Sequence, residues 1–209
     1  ISKNKKKYIL KISNNNKIIF LEANHNDKNH ILNILCTLCV LNELNLDLNK
    51  IKNFFKNYTF LKGRGKINRV KKYNKNFYLI DESYNANPLS VKLAIENFSN
   101  IKKKGKKKYL LFGDMLELGK NSNILHKRIS KLINKSDIDK TYVYGAKSLE
   151  TFKFLNSKKK GEIINDLKSF DLKISKILNN GDYLMIKGSN ATKLHEISNK
   201  LLKVSTNVV

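Results

Sequence analysis

Short apolar runs alternate with segments of helical periodicity over most of the chain, and this alternation restricts the fold more than any other feature. Strands are predicted at residues 77–80, 109–112, 141–144, 162–164 and 183–186. Helices are predicted at residues 89–98, 124–133, 148–154, 167–178 and 191–202. Because strands separated by helices form βαβ units, such strands lie parallel in one sheet. We therefore expect an α/β fold with a mostly parallel sheet and flanking helices.

The first 60 residues follow a different pattern. Their predicted elements are strands at residues 8–12 and 17–22 and helices at residues 28–44 and 48–55. Asparagines between the two strands predict a hairpin turn, and Asp47 precedes the second helix as its N-cap. A glycine-flanked joint, Leu-Lys-Gly-Arg-Gly, follows at residues 61–65. We therefore expect a domain boundary here, with residues 1–60 in one domain and 61–209 in the next.

Cys36 and Cys39 form a C-x-x-C pair inside the helix predicted at residues 28–44. No second ligand pair follows, which argues against a zinc site, so both are predicted to act as small apolar residues of a buried helix. Two cysteines in 209 residues are typical of a reducing cytoplasm. No apolar run reaches the roughly 18 residues of a membrane-spanning helix, and no signal peptide is visible. We expect a cytoplasmic protein without membrane insertion.

The net charge of +25 raises the hypothesis of a nucleic-acid partner. However, 39 of the 42 basic residues are lysines, whereas base readout and phosphate forks favour arginine. The lysines are also spread along the chain, with runs at residues 5–7, 102–108 and 158–160 that we expect in surface turns. We therefore expect a solvated lysine-rich surface and no nucleic-acid partner. A steep salt dependence of DNA affinity would indicate the opposite.

In parallel sheets, ligands bind beyond the carboxyl ends of the strands. That rule selects residues 81–87, 113–117, 145 and 187–190. The richest segment is Asp-Glu-Ser-Tyr-Asn-Ala-Asn-Pro at residues 81–88. Its carboxylates could meet a ribose, a metal or an ammonium group, and its amides could bond a peptide backbone. The same segment is equally consistent with a turn that leads into a helix, with Asn87 as its N-cap and Pro88 at its first position.

Four motifs resemble those of the Mur ligase family. Residues 81–88 are similar to the D-[DE]-[ST]-Y-N-A-N-P signature of the members that add D-alanyl-D-alanine. Residues 113–119, Gly-Asp-Met-Leu-Glu-Leu-Gly, resemble the family's G-D-M-x-E-L-G, and His126 follows at the family's interval. Residues 63–65 resemble its G-R-G, and residues 187–189 its K-G-S. All four occur in the family's order over most of the chain.

The resemblance implies that residues 61–209 form a Mur ligase C-terminal Rossmann-like domain and residues 1–60 the tail of a central P-loop ATPase domain. The sequence contains no G-x-x-x-x-G-K-[ST] loop, so we expect a fragment of a longer ligase, inactive alone and without the UDP-binding domain. The implied reaction is the ATP-dependent ligation of D-alanyl-D-alanine to UDP-N-acetylmuramoyl tripeptide through an acyl phosphate, in peptidoglycan biosynthesis. ATP and Mg²⁺ are the implied cofactors, the metal being bound mainly outside this chain. A monomer is expected.

The resemblance also implies roles for individual residues. Those implied to bind the nucleotide are Asn33, Arg64, Asp81 and Glu82. Those implied to lie at the acceptor or substrate site are Asn85, Asn87, Asp114, Glu117, Lys187 and Ser189. No residue of this chain is assigned a catalytic role or a metal. His126 is expected to be a packed or surface histidine.

Two departures and two alternatives accompany the resemblance. Asn190 stands where the family has the arginine of K-G-S-R, and Asn29-His30 reverses the family's H-N order before Asn33. The first alternative is a folylpolyglutamate-synthetase-like ligase domain. The second is a non-catalytic Rossmann-like binding module. The Tyr-Asn-Ala-Asn-Pro sequence at residues 84–88 argues against both.

Overall fold

The computed structural model describes residues 2–4, 7–14, 17–23, 28–51, 53–57, 61–102 and 104–203 of the chain. The chain divides into two compact units, Ile1–Thr59 and Phe60–Val209.

The first unit is a small antiparallel sheet with one long helix. Its elements are β1 (Ser2–Asn4), β2 (Lys7–Asn14), β3 (Lys17–Ala23) and α1 (Lys28–Glu43). The antiparallel pairing of β2 with β3 confirms the two predicted strands, while the turn predicted between them falls on residues 15 and 16, outside the described residues. The helix predicted at residues 48–55 is instead two 3₁₀ turns, Leu48–Ile51 and Phe54–Asn57. Asp47 does cap the first turn, accepting the Asn49 N–H at 3.0 Å.

The prediction that Cys36 and Cys39 are buried is wrong, since both are exposed. Helix α1 buries a row of residues spaced by four, His30, Ile34 and Leu38. In an α-helix this spacing selects one face, and Cys36, two positions after Ile34, and Cys39, one position after Leu38, are rotated away from it. The apolar composition of the helix concealed which face would be covered.

The described residues of the second unit form six strands and five α-helices. The strands are β4 (Lys66–Lys72), β5 (Lys75–Glu82), β6 (Lys108–Gly113), β7 (Lys140–Tyr144), β8 (Lys160–Ile164) and β9 (Tyr183–Lys187). The helices are α2 (Pro88–Asn100), α3 (Ser122–Lys135), α4 (Ser148–Lys153), α5 (Leu167–Ile177) and α6 (Leu194–Leu202). The strand order is β4-β5-β9-β6-β7-β8, and every neighbouring pair is parallel except β4 with β5. The predicted α/β fold with a mostly parallel sheet is confirmed.

Helices cover both faces of this sheet. Apolar residues of α2, α3 and α4 pack around Phe112 on one face. Those of α5 and α6 pack around Leu111 on the other. Because successive side chains of a strand point to opposite faces, the neighbours Phe112 and Leu111 of β6 fill different halves of the core. The all-buried strand β6 is therefore the centre of the unit.

Strand β4 was not predicted, because it lacks an apolar run. It reads Lys-Ile-Asn-Arg-Val-Lys-Lys, and only Val70 is buried. Charged residues are typical of an edge strand, where they discourage pairing with another chain. Tyr73 and Asn74, with φ of 55° and 56°, form the tight turn that leads into β5. The antiparallel pairing sets Lys66 opposite Asp81, so that the start of β4 lies at the carboxyl end of β5.

We predicted that the lysine run at residues 102–108 lies in a surface turn. For its last residue, Lys108, this prediction is wrong. Lys108 is the first residue of β6, and none of its surface is exposed. Its ammonium donates to the Ser99 carbonyl at 2.8 Å and to Asp137 Oδ2 at 3.2 Å. A buried charge is tolerated only with such partners. Lys108 is thus a structural residue.

Among the described residues, no helix combines the length and the apolar character that crossing a membrane would demand.

Replacing Phe112 with Ala should destabilise the second unit by about 3–5 kcal/mol, because it leaves a cavity beside the central strand. Urea-induced unfolding followed by circular dichroism measures the loss. The matched control is Ile163→Ala in β8, whose side chain is 46% exposed and whose loss should be about 0.5 kcal/mol. Equal losses for the two variants would contradict this account of the core.

Candidate functional site

The predicted site residues of the second unit lie at the carboxyl edge of its sheet. Because β5, β6, β7, β8 and β9 are parallel, the loops that follow them emerge at the same edge. The antiparallel β4 brings residues 61–65, which precede it, to this edge as well. The motifs at residues 63–65, 81–88, 113–119 and 187–189 are thus neighbours in the fold.

Residues 63–65 are fastened to the loop after β5 by two backbone hydrogen bonds. The Gly65 N–H donates to the Asp81 carbonyl at 2.7 Å, and the Tyr84 N–H donates to the Gly63 carbonyl at 3.3 Å. Both glycines have positive φ, 75° at Gly63 and 88° at Gly65. A Cβ at Gly63 would lie 2.9 Å from Tyr84 Cβ, and one at Gly65 would lie 2.6 Å from Glu82 Oε1. Only glycine fits either position without displacing the loop.

Arg64, between these glycines, is exposed and stacks on an aromatic ring. Its Cζ lies 4.1 Å from the centroid of the Tyr84 ring, a cation–π geometry. The stack orients the guanidinium without using its N–H donors. Arg64 therefore retains donors that suit a phosphate or a carboxylate. The sequence interpretation gave Tyr84 no role of its own, although its ring directs Arg64.

The two acids at the end of β5 have different surroundings. Asp81 is 2% exposed, and its Oδ1 accepts the Ser83 hydroxyl at 2.6 Å and the Ser83 N–H at 3.2 Å. It closes a turn of the backbone by an Asx-type contact. The Glu82 side chain is 25% exposed, and its Oε2 lies 3.3 Å from Lys187 Nζ. Of the two, Glu82 offers its carboxylate to a ligand at the edge.

Lys187, the last residue of β9, is almost fully buried, with 2% of its surface exposed. Its ammonium donates to the Asn85 carbonyl at 2.6 Å and to Glu82 Oε2 at 3.3 Å. Burial lowers the pKa of Lys187 from its ordinary value; Glu82 counteracts this and Arg64 adds to it. We call Arg64, Glu82, Tyr84, Asn85 and Lys187 the Glu82–Lys187 cluster.

Asn85 and Asn87 both use their side chains locally. Asn85 Oδ1 accepts the Ala86 N–H at 2.8 Å. Asn87 Oδ1 accepts the Ser90 N–H at 2.8 Å, while the Ser90 hydroxyl accepts the Asn87 N–H at 3.1 Å. This reciprocal pair is a capping box at the start of α2. The helix-cap interpretation of residues 81–88 is therefore confirmed for Asn87, and a substrate contact stays a prediction.

The loop after β6 is joined to the loop after β7 through Asp114. Asp114 Oδ1 accepts the Ser148 N–H at 2.7 Å, at the start of α4. A Cβ on Gly145, whose φ is 112°, would come within 2.6 Å of this carboxylate. Gly145 thus leaves room for Asp114 to reach α4. Glu117, three residues further along, is exposed with φ of 62°, and its role stays a prediction.

Ser189 ties three loops together from a position that is only 5% exposed. Its hydroxyl accepts the Leu116 N–H at 2.9 Å and donates to the Ala86 carbonyl at 3.3 Å. Its own N–H donates to the Asp114 carbonyl at 3.0 Å. Ser189 therefore holds the loops at the carboxyl edge of the sheet together. The contact with the acceptor that we predicted for it stays a prediction.

His126 is packed inside the fold, with no exposed surface. Its Nε2 accepts the Met115 N–H at 3.0 Å, and its Nδ1 lies 2.8 Å from the Ser122 carbonyl. Accepting at one nitrogen and donating at the other defines the neutral Nδ1–H tautomer. Burial is the main cause that lowers the pKa of His126 from its ordinary value. The histidine that follows the G-D-M loop is thus what holds that loop.

The remaining predicted residue, Asn33, belongs to the first unit. It is exposed on α1, and its carbonyl accepts the Thr37 hydroxyl at 2.9 Å. Its side chain is accessible, and a contact with adenine stays a prediction.

Replacing Asn87 with Ala should destabilise the chain by about 1 kcal/mol, because the capping box is lost. Asn87→Asp keeps an acceptor oxygen and should retain nearly all of the stability. Urea-induced unfolding of both variants measures the difference. A full loss in Asn87→Asp would show that the side chain does something other than cap α2.

Below a pH of about 6.5, the free energy of unfolding should decrease because of His126. Because its pKa is lowered in the folded state, the unfolded chain binds the proton first as the pH falls, which favours unfolding. This contribution is present at pH 7 and above, and its slope is at most about 1.4 kcal/mol per pH unit. Unfolding of wild type and His126→Gln between pH 5 and 8 measures it. The variant should lose this part of the slope, and an unchanged slope would contradict the buried neutral form.

The similarity to known proteins covers the segments that form this site. The model of the family described as Mur ligase, glutamate ligase domain, matches residues 65–190. A curated relative from Rickettsia prowazekii, named UDP-N-acetylmuramoyl-tripeptide–D-alanyl-D-alanine ligase, is 27% identical over 183 residues, which are 88% of this chain and 39% of the relative. A relative of the same name from Buchnera aphidicola is 33% identical over 177 residues, 83% of this chain and 36% of its own length. The chain thus spans less than two fifths of these two relatives.

Solved structures agree on the fold. The MurF ligase from Thermotoga maritima, in complex with ADP, superposes on this chain with a TM-score of 0.73 at 20% identity. The superposition covers 95% of this chain and 44% of the Thermotoga chain. MurF from Acinetobacter baumannii gives a TM-score of 0.76 at 18% identity, over 94% of this chain and 42% of the Acinetobacter chain. At these identities the superpositions establish the fold alone, whereas the family model matches more than half of the residues. On that match, the chain belongs to the Mur ligase family.

Proposed function

We propose that this chain is the acceptor-presenting part of an ATP-dependent ligase that joins D-alanyl-D-alanine to UDP-N-acetylmuramoyl tripeptide in peptidoglycan biosynthesis. The observation that carries the proposal is the meeting of four distant motifs at one edge of a Mur ligase fold. Arg64, Glu82 and Lys187, from three different segments, lie together there. The names of the curated relatives support the substrates.

In this proposal the chain works as part of a longer protein. Residues 1–60 are the end of the central ATP-binding domain, and residues 61–209 are the C-terminal domain. The phosphate-cradling loop and the UDP-sugar site belong to the rest of the ligase. The chain by itself should bind ligands without turning over.

The proposed reaction has two steps. ATP first phosphorylates the terminal carboxylate of the tripeptide, giving an acyl phosphate and ADP. The neutral amine of the dipeptide then attacks the acyl carbon, and the tetrahedral intermediate expels inorganic phosphate. Such phosphoryl chemistry depends chiefly on positioning and on cations that hold the phosphate oxygens.

The Glu82–Lys187 cluster is proposed to meet the nucleotide. Arg64 presents an oriented, exposed guanidinium, which suits a phosphate oxygen. Glu82 presents the more accessible of the two acids, which suits a ribose hydroxyl. Lys187 holds that carboxylate in place, since its ammonium lies 3.3 Å away.

Mg²⁺ is proposed to accompany ATP, but this chain is given no part in binding it. Among the residues that the structure describes, no three His, Cys, Asp or Glu side chains come together as metal ligands. The Glu82 carboxylate is already paired with Lys187.

ADP release tests the proposal, using this chain joined to its upstream ATP-binding segment, with Mg-ATP, UDP-N-acetylmuramoyl tripeptide and D-alanyl-D-alanine. Release should require the dipeptide. Arg64→Ala should lower kcat/KM by about 10- to 100-fold, since a charge-assisted contact is worth about 1.5–3 kcal/mol. The matched control is Arg69→Ala, an exposed arginine of β4 that lies nearer the opposite end of β5, opposite Tyr78. It should behave as wild type.

The same assay contains the outcomes that would reject the proposal. Release that ignores the dipeptide would remove the substrate assignment. Release that accepts glutamate in its place would favour the folylpolyglutamate-synthetase-like alternative. Equal effects of Arg64→Ala and Arg69→Ala would remove the special role of Arg64.

A further inference from the structure

Cys36 and Cys39 lie three positions apart on helix α1, and both are exposed. The buried face of this helix is formed by His30, Ile34 and Leu38. The two thiols therefore lie outside the face that packs in the first unit. They also belong to no motif at the carboxyl edge of the second unit. Neither the core nor the proposed function gives this C-x-x-C pair a role.

The surface around the two thiols is apolar. Leu32 is 48% exposed and Val40 is 59% exposed. Leu32 precedes Cys36 by four positions and Val40 follows it by four, so the three side chains form one row along the helix. Hard cations such as Ca²⁺ and Mg²⁺ need oxygen ligands and bound water, which this row does not offer. The surroundings favour a soft, weakly hydrated ligand.

The spacing of the thiols favours a shared metal ion over a disulfide. In an α-helix, residues three positions apart have Cβ atoms about 5–6 Å from each other. A disulfide needs Cβ atoms about 3.5–4.5 Å apart, so it would require α1 to be distorted. Two metal–sulfur bonds of about 2.3 Å each span about 4–4.6 Å. Rotation about χ1 can bring the sulfurs to that separation while the helix stays intact.

The number of ligands restricts the choice of metal. Within the described part of the chain, no group of three His, Cys, Asp or Glu side chains is close enough to hold one ion. Glu43, four positions after Cys39, therefore does not complete a larger site. Structural zinc takes four ligands in a tetrahedron, and two thiolates would leave it half-coordinated. Cu(I) is a soft ion that prefers thiolates and is stable with two of them.

We propose that Cys36 and Cys39 form a two-coordinate site for Cu(I) on the exposed side of α1. On binding, each thiol releases its S–H proton to solvent, and the two thiolates hold one Cu(I) without a change of oxidation state. The complex has one negative charge, which a chain with a net charge of +25 accommodates. The site is independent of the proposed function, because it uses no residue of the carboxyl edge.

The test is a competition for Cu(I) between the reduced chain and the coloured chelator bicinchoninate, without oxygen and with ascorbate to keep the copper reduced. The wild-type chain should remove one Cu(I) from the chelator, and an excess of Zn²⁺ should not displace it. Cys36→Ser and Cys39→Ser should each lower the affinity by at least about 100-fold. The reason is that the second thiolate must then come from another molecule.

The matched control combines Cys39→Ser with Thr37→Cys, which keeps two thiols but places them at adjacent positions. Adjacent residues of an α-helix point about 100° apart, so this double variant should bind as weakly as the single variants. Thr37 and Cys39 are both exposed, so neither change affects the core. Equal affinity of the wild type and the double variant would overturn the inference, because the helical spacing would then not matter.

Three other results would also overturn it. A copper-bridged dimer in light scattering would show that thiols of different chains share the ion. Fast loss of both thiols in air, with no Cu(I) bound by the reduced chain, would show a disulfide pair instead. Absence of Cu(I) binding in the chain joined to its upstream segment would show that this segment covers the thiols. None of these results bears on ADP release, so the proposed function stands or fails separately.

Discussion

The buried ammonium of Lys187 is the interaction on which the carboxyl edge depends. It joins the ends of β5 and β9 by holding the Asn85 carbonyl and the Glu82 carboxylate. A charge with 2% exposure is stable only while these partners stay in place, so the pair fixes the loop after β5 as firmly as a core contact would. The loop in turn carries the Tyr84 ring on which Arg64 lies.

The segment that follows Lys187 connects the two parts of the site. Ser189 fastens the loops after β5 and β6, and Lys193, four residues later, is among the residues that line a cavity at the carboxyl ends of β7 and β8. Asp114 lies between them, since its carbonyl accepts the Ser189 N–H and its carboxylate lines the cavity. A ligand at either place therefore touches backbone that also supports the other.

Two errors of the sequence interpretation originate in the lysine-rich composition. Lysine is read as a surface residue, yet Lys108 is buried and donates to the Ser99 carbonyl and to Asp137. Lysines also concealed β4, an edge strand with a single buried residue, Val70. In α1 the ambiguity was of another kind, since apolar residues lie on more than one face and Cys36 and Cys39 are exposed. In each case the deciding partner is remote in sequence.

The sequence by itself determined the α/β alternation, the capping of α2 by Asn87 and the four motifs of the Mur ligase family. Those features depend on local periodicity, local hydrogen bonds or contiguous residues, which a linear pattern records. Only the tertiary structure decided that β4 runs antiparallel and brings Arg64 onto Tyr84, that Glu82 and not Asp81 faces outward, and that His126 holds the 113–119 loop. It also decided that Asp114 and Lys193 line one cavity. The physical reason is that burial, charge pairing and strand order arise from contacts between residues far apart in the chain, which no local pattern contains.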